Sequence, residues 1–228
     1  MTRDLVFTGF EGDDGSAPPT LAAALGHDDP AALMEALRDS RLLVPIVAEP
    51  VETATEGGLT VDKQTDMAAV TLLAPDGERA LPVFSSLEAL AAWDPEARPV
   101  PVTAARAGQA AVSERCDVVV VDVAGPRTRV LRPSMVWALA QERDWTPPHL
   151  DDFVAAGVAR AVAEEPHVVS HHVEEGAPSG QGILGVVLEL KDGLDADDVQ
   201  QVATRVGERL ATDGELRARI DGLAFRIH

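Results

Sequence analysis

The chain has one cysteine, Cys116, and no tyrosine among its 228 residues. A single thiol closes no intramolecular disulfide, which excludes a disulfide-stapled secreted scaffold. No window approaches the roughly 18 consecutive apolar residues that a membrane-spanning helix needs. The opening MTRDLVFTGFEGDDG also lacks the apolar core of a secretory leader. A cytoplasmic protein without a membrane partner is expected. Basic residues are scarce: lysine occurs only at Lys63 and Lys191, and 19 Lys+Arg face 38 Asp+Glu, for a formal net charge of −19. The excess is spread along the chain, with 7 basic against 15 acidic residues after position 148 and 12 against 23 up to it. Such a field repels a phosphate backbone, and the longest basic cluster, Arg127, Arg129 and Arg132, is too short to reverse it. Nucleic acid is not an expected partner.

What is present suffices for folded cores. Hydrophobic residues make up 46% and charged residues 25%, ordinary values for a globular protein, and the length favours two domains over one. Residues 1–19, rich in Gly, Asp and Pro, read as a flexible arm. Asp29 and Pro30 open a helix as cap and first helical residue. Leu42 to Val47 reads as a strand that Pro45 consigns to an edge or a bulge. Met67 to Ala74 and Arg79 to Phe84 read as a hairpin about the turn Pro75-Asp76-Gly77. Ser85 followed by Glu88 fits a capping box for the helix through Leu87, Leu90 and Trp93. Ala104 to Val112 is a small-residue helix. DVVVVDV, residues 117–123, is a strand covered on both faces, and a short strand at 128–131 leads into a helix introduced by Arg132-Pro133-Ser134.

DWTPPH, residues 144–149, breaks this pattern and marks a boundary. It separates a first domain, 20–145, from a second, 150–228. The second reads as helix, two strands at 167–174 and 182–190 around EGAPSGQ, a helix after Asp195, and a last strand alternating Leu223, Phe225 and Ile227. This is an α+β protein: a mixed-sheet N-terminal domain and a smaller α-β-β-α-β domain, the latter expected to carry a three-stranded antiparallel sheet.

The first domain resembles the SseB family, the enhanced serine sensitivity proteins, in its actinobacterial form. The residues that carry the likeness are Leu43-Val44-Pro45, Asp66 to Val70, Pro75-Asp76-Gly77, Leu81-Pro82-Val83-Phe84-Ser85-Ser86, Trp93, and Val130-Leu131-Arg132-Pro133. Where relatives carry Thr this chain has Ser85, and where Asn is frequent it has Arg132. The resemblance implies a link to serine sensitivity and a genetic association with a rhodanese-type sulfurtransferase. It assigns no catalytic residue.

Candidate chemistry is sparse. Cys116 is the one thiol nucleophile, but Ser113-Glu114-Arg115-Cys116 leads into a strand, whereas a persulfide site wants the thiol in a loop cradled by N–H groups. His167 and His171 are the metal candidates. On a strand they share a face but lie about 13 Å apart at ~3.3 Å per residue, while His172 points the other way. The acids Asp192 to Asp198 lack EF-hand spacing and suit a helix start. Gly180-Gln181-Gly182 has no strand-to-helix setting for a phosphate loop. No cofactor is implied. Trp93 and Trp137 fall on helical stripes and read as core, and Trp145 in the linker reads as cement between the domains. Trp93 and Trp145 are the candidate anchors for an interaction. The reading is a non-enzymatic accessory or regulatory protein that binds a protein partner or a small ligand. The alternatives are a sulfur-handling enzyme or persulfide carrier using Cys116, and a dimerisation module pairing through the 167–190 hairpin or the edge at 42–47.

Overall fold

The computed structural model describes residues 12–48, 67–75 and 77–228. The fold is α+β, with eight α-helices and ten strands among these residues. Helices α1 (Pro19–Leu25) and α2 (Pro30–Arg38) precede strand β1 (Arg41–Ala48). Asp29 caps α2 as its sequence signals: the Asp29 carboxylate accepts from the N–H groups of Ala31 and Ala32, each at 3.0 Å.

Strand β1 is interior, which corrects the expectation of an edge. It pairs antiparallel along one side with β5 (Arg98–Thr103), and its far end pairs with β2 (Met67–Ala69) on the other. Pro45 stands opposite Pro99. Two prolines cannot exchange N–H···O bonds, so this pair is a non-hydrogen-bonded one, and the missing donor of Pro45 falls on the opposite side of the strand. That side changes partner at this point. Leu43 exchanges both backbone bonds with Phe84, each at 2.8 Å, whereas β2 pairs with residues 46–48. A proline thus sits where one ladder stops and another begins. Strand β5 itself escapes sequence reading because prolines at 99 and 101 interrupt its pattern.

The stretch 67–74 is split rather than one hairpin arm. Its first part is β2, and its second, β3 (Leu72–Leu73), pairs with the start of β4 (Arg79–Val83). The motif residue Asp66 and the turn residue Asp76 lie outside the described residues, as does the part of the expected arm up to residue 11. Residues 13–16 of that arm are tied down: Asp13 and the Ser16 carbonyl accept from the buried Arg41, and the Gly15 carbonyl accepts from Leu87 N–H at 2.8 Å.

Helix α3 (Leu87–Trp93) is capped by Ser86, whose hydroxyl accepts from Ala89 N–H at 3.1 Å. The expected Ser85–Glu88 box is therefore displaced by one residue, and Ser85 is engaged elsewhere. After β5, helix α4 (Ala104–Ser113) returns the chain so that β6 (Val118–Val121) runs parallel to β4, and β7 (Arg129–Leu131) adds antiparallel to β6. All four β6 valines are buried, as a strand covered on both faces requires. Helix α5 (Pro133–Ala140) lies against α4. A Cβ on Gly108 would meet Ala140 N at 2.8 Å, so the small-residue face of α4 is what lets the two backbones approach. The larger core gathers Leu21, Leu37, Leu42, Leu81, Val119 and Leu131.

A 3₁₀ turn at Pro148–Leu150 leads to α6 (Asp152–Val162), then β8 (Val168–Glu175), β9 (Ile183–Leu190), α7 (Ala196–Thr212), the short α8 (Gly214–Arg217) and β10 (Gly222–Ile227). Strand order is β10-β9-β8. β8 and β9 form the expected antiparallel hairpin, but β10 runs parallel to β9, correcting the all-antiparallel sheet. The 17-residue α7 carries the chain back along the sheet, which is the long crossover that a parallel neighbour needs. A second core gathers Val154, Leu184, Val186, Val206 and Leu210. At its rim the buried Glu165 accepts from Arg205 at 2.8 Å and pairs with Arg209 at 2.7 Å.

Candidate functional site

Between the two cores lies a cleft of about 440 Å³, within the size range of small-molecule sites. One wall is the start of α2 (Asp28, Pro30) and the start of α5 (Arg132, Met135). The linker supplies Trp145, Pro147, Pro148 and His149, and the β8–β9 hairpin and the residue before β10 supply Glu175, Ser179, Gly180, Gly182, Ile183 and Asp221.

The wall is fixed by a clamp across 87 residues of sequence. Helix α5 begins with Arg132 as its cap residue, whose side chain makes no capping bond, followed by a proline. Asp221 does the capping from the other end of the chain. Ser134 donates its N–H to Asp221 Oδ1 at 2.7 Å and its hydroxyl to Oδ2 at 2.8 Å. The Ser134 hydroxyl accepts in turn from Trp145 Nε1–H at 3.0 Å. A carboxylate at a helix start is favoured by the unpaired amides and the dipole. Burial nonetheless pushes the Asp221 carboxyl above the usual aspartate range, with the two Ser134 bonds and the Arg132 charge pulling it part of the way back. Asp221 also donates its N–H to the Gly182 carbonyl at 3.0 Å. Gly182 has φ +68°, and a Cβ there would lie 2.0 Å from Asp221 Oδ2, so glycine is the residue that lets the hairpin reach the clamp. Ser134 is 1% exposed and its hydroxyl is committed as donor and as acceptor, so it is a joint and not a nucleophile.

Residues 20–138, just over half of the chain, match the family model of the SseB protein N-terminal domain. The chain belongs to the SseB family. No curated protein and no solved structure matches it. In this SseB-family chain the resemblance motifs divide between the two kinds of work already described. Val130-Leu131-Arg132-Pro133 delivers a wall of the cleft, while Leu43-Val44-Pro45 in β1 and the segment from Leu81 to Ser86 at the end of β4 join the two N-terminal sheets through the Leu43–Phe84 bridge.

The residues singled out in the sequence are not brought together. Cys116 is half-buried beside a hollow of about 220 Å³ that also borders Pro133, Val136 and Trp137, and it does not line the cleft. Burial pushes its thiol up; Arg79 opposes this, while Glu114 and Asp117 add to it. His167 precedes β8, and His171 lies on it, exposed and opposite Leu188. No three His, Cys, Asp or Glu among the described residues are grouped to hold a metal ion. Asp195 caps α7 through Asp198 N–H at 2.9 Å. Trp93 is half-buried against Phe84, ring centroids 5.4 Å apart. Trp137, expected in the core, is 40% exposed, because its stripe on α5 turns outward beyond Met135 and Val136. Of the tryptophans only Trp145 lines the cleft. Asp221, Glu175 and His149 carry no local sequence signal as wall residues: the Ser134 partner of Asp221 lies 87 residues away, and the cleft gathers its walls from separated stretches of chain. Among the described residues no helix is long and apolar enough to cross a membrane.

Proposed function

We propose that this SseB-family protein is a non-enzymatic accessory or regulatory protein of the cytoplasm, built of units at 20–145 and 150–228, that acts by binding a small ligand or a protein segment in the cleft between them. The family's name links that action to serine sensitivity. The observation that carries this reading is the cleft itself, with walls drawn from both cores and joined by the Ser134–Asp221 clamp. A site shared between two packed bodies is a common place for recognition, because binding there couples to their relative position. Nothing favours the sulfur-handling alternative: burial keeps the Cys116 thiol in its protonated, less nucleophilic form.

The test is capture from source extract by crosslinking and mass spectrometry, with the wild-type chain, Ser179→Trp and Cys116→Ser side by side. Ser179 is exposed at the cleft mouth, so a tryptophan there fills the entrance. The captured ligand or partner is expected to disappear in Ser179→Trp and persist in Cys116→Ser. A turnover that survives purification and vanishes in one point variant would overturn the reading, as would capture indifferent to Ser179→Trp.

A further inference from the structure

The polar groups around the cleft divide into those already satisfied and those that are not. Glu175 accepts from Gly180 N–H at 2.7 Å and is also bound by Ser179. Both Asp221 oxygens are held by Ser134. Asp29 is used by the first turn of α2. Arg129 donates to the carbonyls of Thr128 and His27, at 3.1 and 3.2 Å. Arg132 stands apart. It is half-buried, and its guanidinium makes no hydrogen bond or ion pair with any described residue. It also lines both the main cleft and an adjoining hollow of about 190 Å³, so it stands where the two meet. His149 is the other half-buried donor in the main cleft. Met135, Trp145, Pro147, Pro148 and Ile183 supply the apolar part of the wall.

We infer that the cleft is a site for a small organic monocarboxylate with a short apolar body, its carboxylate held by Arg132 and its body lying against Trp145 and Ile183. This rests on the cleft-binding reading above and names its ligand class. Five donors in a planar fork match a carboxylate with two parallel bonds, and Arg132, whose charge acts on Asp221 but whose donors are taken by no described residue, gains most from such a ligand. A single negative charge is preferred to a phosphate dianion. The chain's formal net charge is −19, and Asp28, Glu175 and Asp221 border the site, so each further ligand charge meets added repulsion.

The test uses the full chain labelled with ¹⁵N-tryptophan. It has three indole N–H resonances, and that of Trp145 is assigned by its loss in Trp145→Phe. The probes are propionate and butyrate, with propionamide and inorganic phosphate as controls. A carboxylate is expected to move the Trp145 resonance saturably, leaving those of Trp93 and Trp137 in place, while propionamide does not. Arg132→Gln should weaken binding at least tenfold and Arg132→Lys by less, since lysine keeps the charge and loses the fork. The fixed Trp93 and Trp137 resonances report that each variant is folded. The inference is overturned if no carboxylate acts by about 20 mM, far above a millimolar Kd, if Arg132→Gln binds as the wild type does, or if phosphate binds more tightly. The broader reading fails separately, through capture that ignores Ser179→Trp.

Discussion

Two serine–aspartate clamps of the same design hold two different parts of this molecule. In the N-terminal core, Ser85 donates its N–H and hydroxyl to the two oxygens of Asp122, at 2.8 and 2.7 Å. Across the cleft, Ser134 does the same to Asp221. The surroundings differ. Ser85 and Asp122 are both buried and lie at the ends of the neighbouring parallel strands β4 and β6. Asp122 has φ +52°, its carbonyl accepts from Thr128, and the Ser85 carbonyl accepts from Arg41 at 3.0 Å. The second clamp borders a cavity and ties one core to the other. The same four atoms therefore serve as internal bracing in one place and as a joint in the other, and the environment sets what each clamp is worth.

The strongest way to break the comparison is Asp122→Ala. It leaves a buried N–H and a buried hydroxyl without acceptors, each having lost a bond to a charged group, and it removes a residue type that tolerates positive φ. The expected cost is about 3–5 kcal/mol, read as a lowered urea midpoint; a loss below about 1 kcal/mol would mean the bracing is redundant. Asp221→Ala should cost less, about 1–3 kcal/mol, because water in the cleft can reach the freed groups. It should also uncouple the cores. Trp93, Trp137 and Trp145 all precede residue 150 and none belongs to the second core, so tryptophan fluorescence follows the first core and the cleft wall at Trp145, and far-ultraviolet circular dichroism follows both cores. Coincident transitions in the wild type are expected to separate in Asp221→Ala and to remain together in Asp122→Ala.

Acidity sharpens the contrast further. Asp221 has a folded pKa raised by burial, so its contribution to stability is fully present below the unfolded value near ~3.9 and is lost as pH rises through the folded pKa. Wild type should thus gain on Asp221→Asn as pH falls from 7 towards 4. Glu165 is the reverse: hydrogen bonding to Arg205 first, and to Arg209, holds its carboxyl below the usual range against the penalty of burial. Its contribution is present above ~4.3 and is lost as pH falls through the folded pKa, so Glu165→Gln should flatten the acid limb of the stability curve. Denaturation series at fixed pH steps test both. The smallest effect belongs to Trp145→Phe, which removes one donor to Ser134 at a cost of about 0.5–1.5 kcal/mol and should leave the Ser85 clamp untouched.

How much of this was legible depended on sequence distance. Asp29-Pro30, the β6 valines and the β8–β9 hairpin announce themselves locally, because caps, two-sided burial and turn chemistry are short-range signals. Ser85 was legible as a residue with a capping hydroxyl and misassigned, since its acceptor lies 37 residues away and its neighbour Ser86 satisfies the same local rule. Asp221 left no trace, because a partner 87 residues distant imprints nothing on its surroundings. Strand β10 alternates as either orientation would, so its direction could not be read from its pattern. The cleft was invisible for the same reason as the clamp: its walls come from five separated stretches of chain.

The pairing of β1 with β5 bears on how this protein can assemble. Pro45 faces Pro99 and Leu43 faces Pro101, so the backbone groups of Pro99 and Pro101 that β1 does not use point outward from β5. Among the described residues that rim offers carbonyls at two successive outward positions and no N–H at either. A visiting strand would find acceptors with no donors at those two positions, and stacking by strand addition is blocked there by the missing N–H groups. With β1 enclosed, the 42–47 route to a dimer is closed as well. Self-association through a sheet would have to start from an edge without such prolines, and among the described residues β2, β3, β7, β8 and β10 are outer strands of that kind.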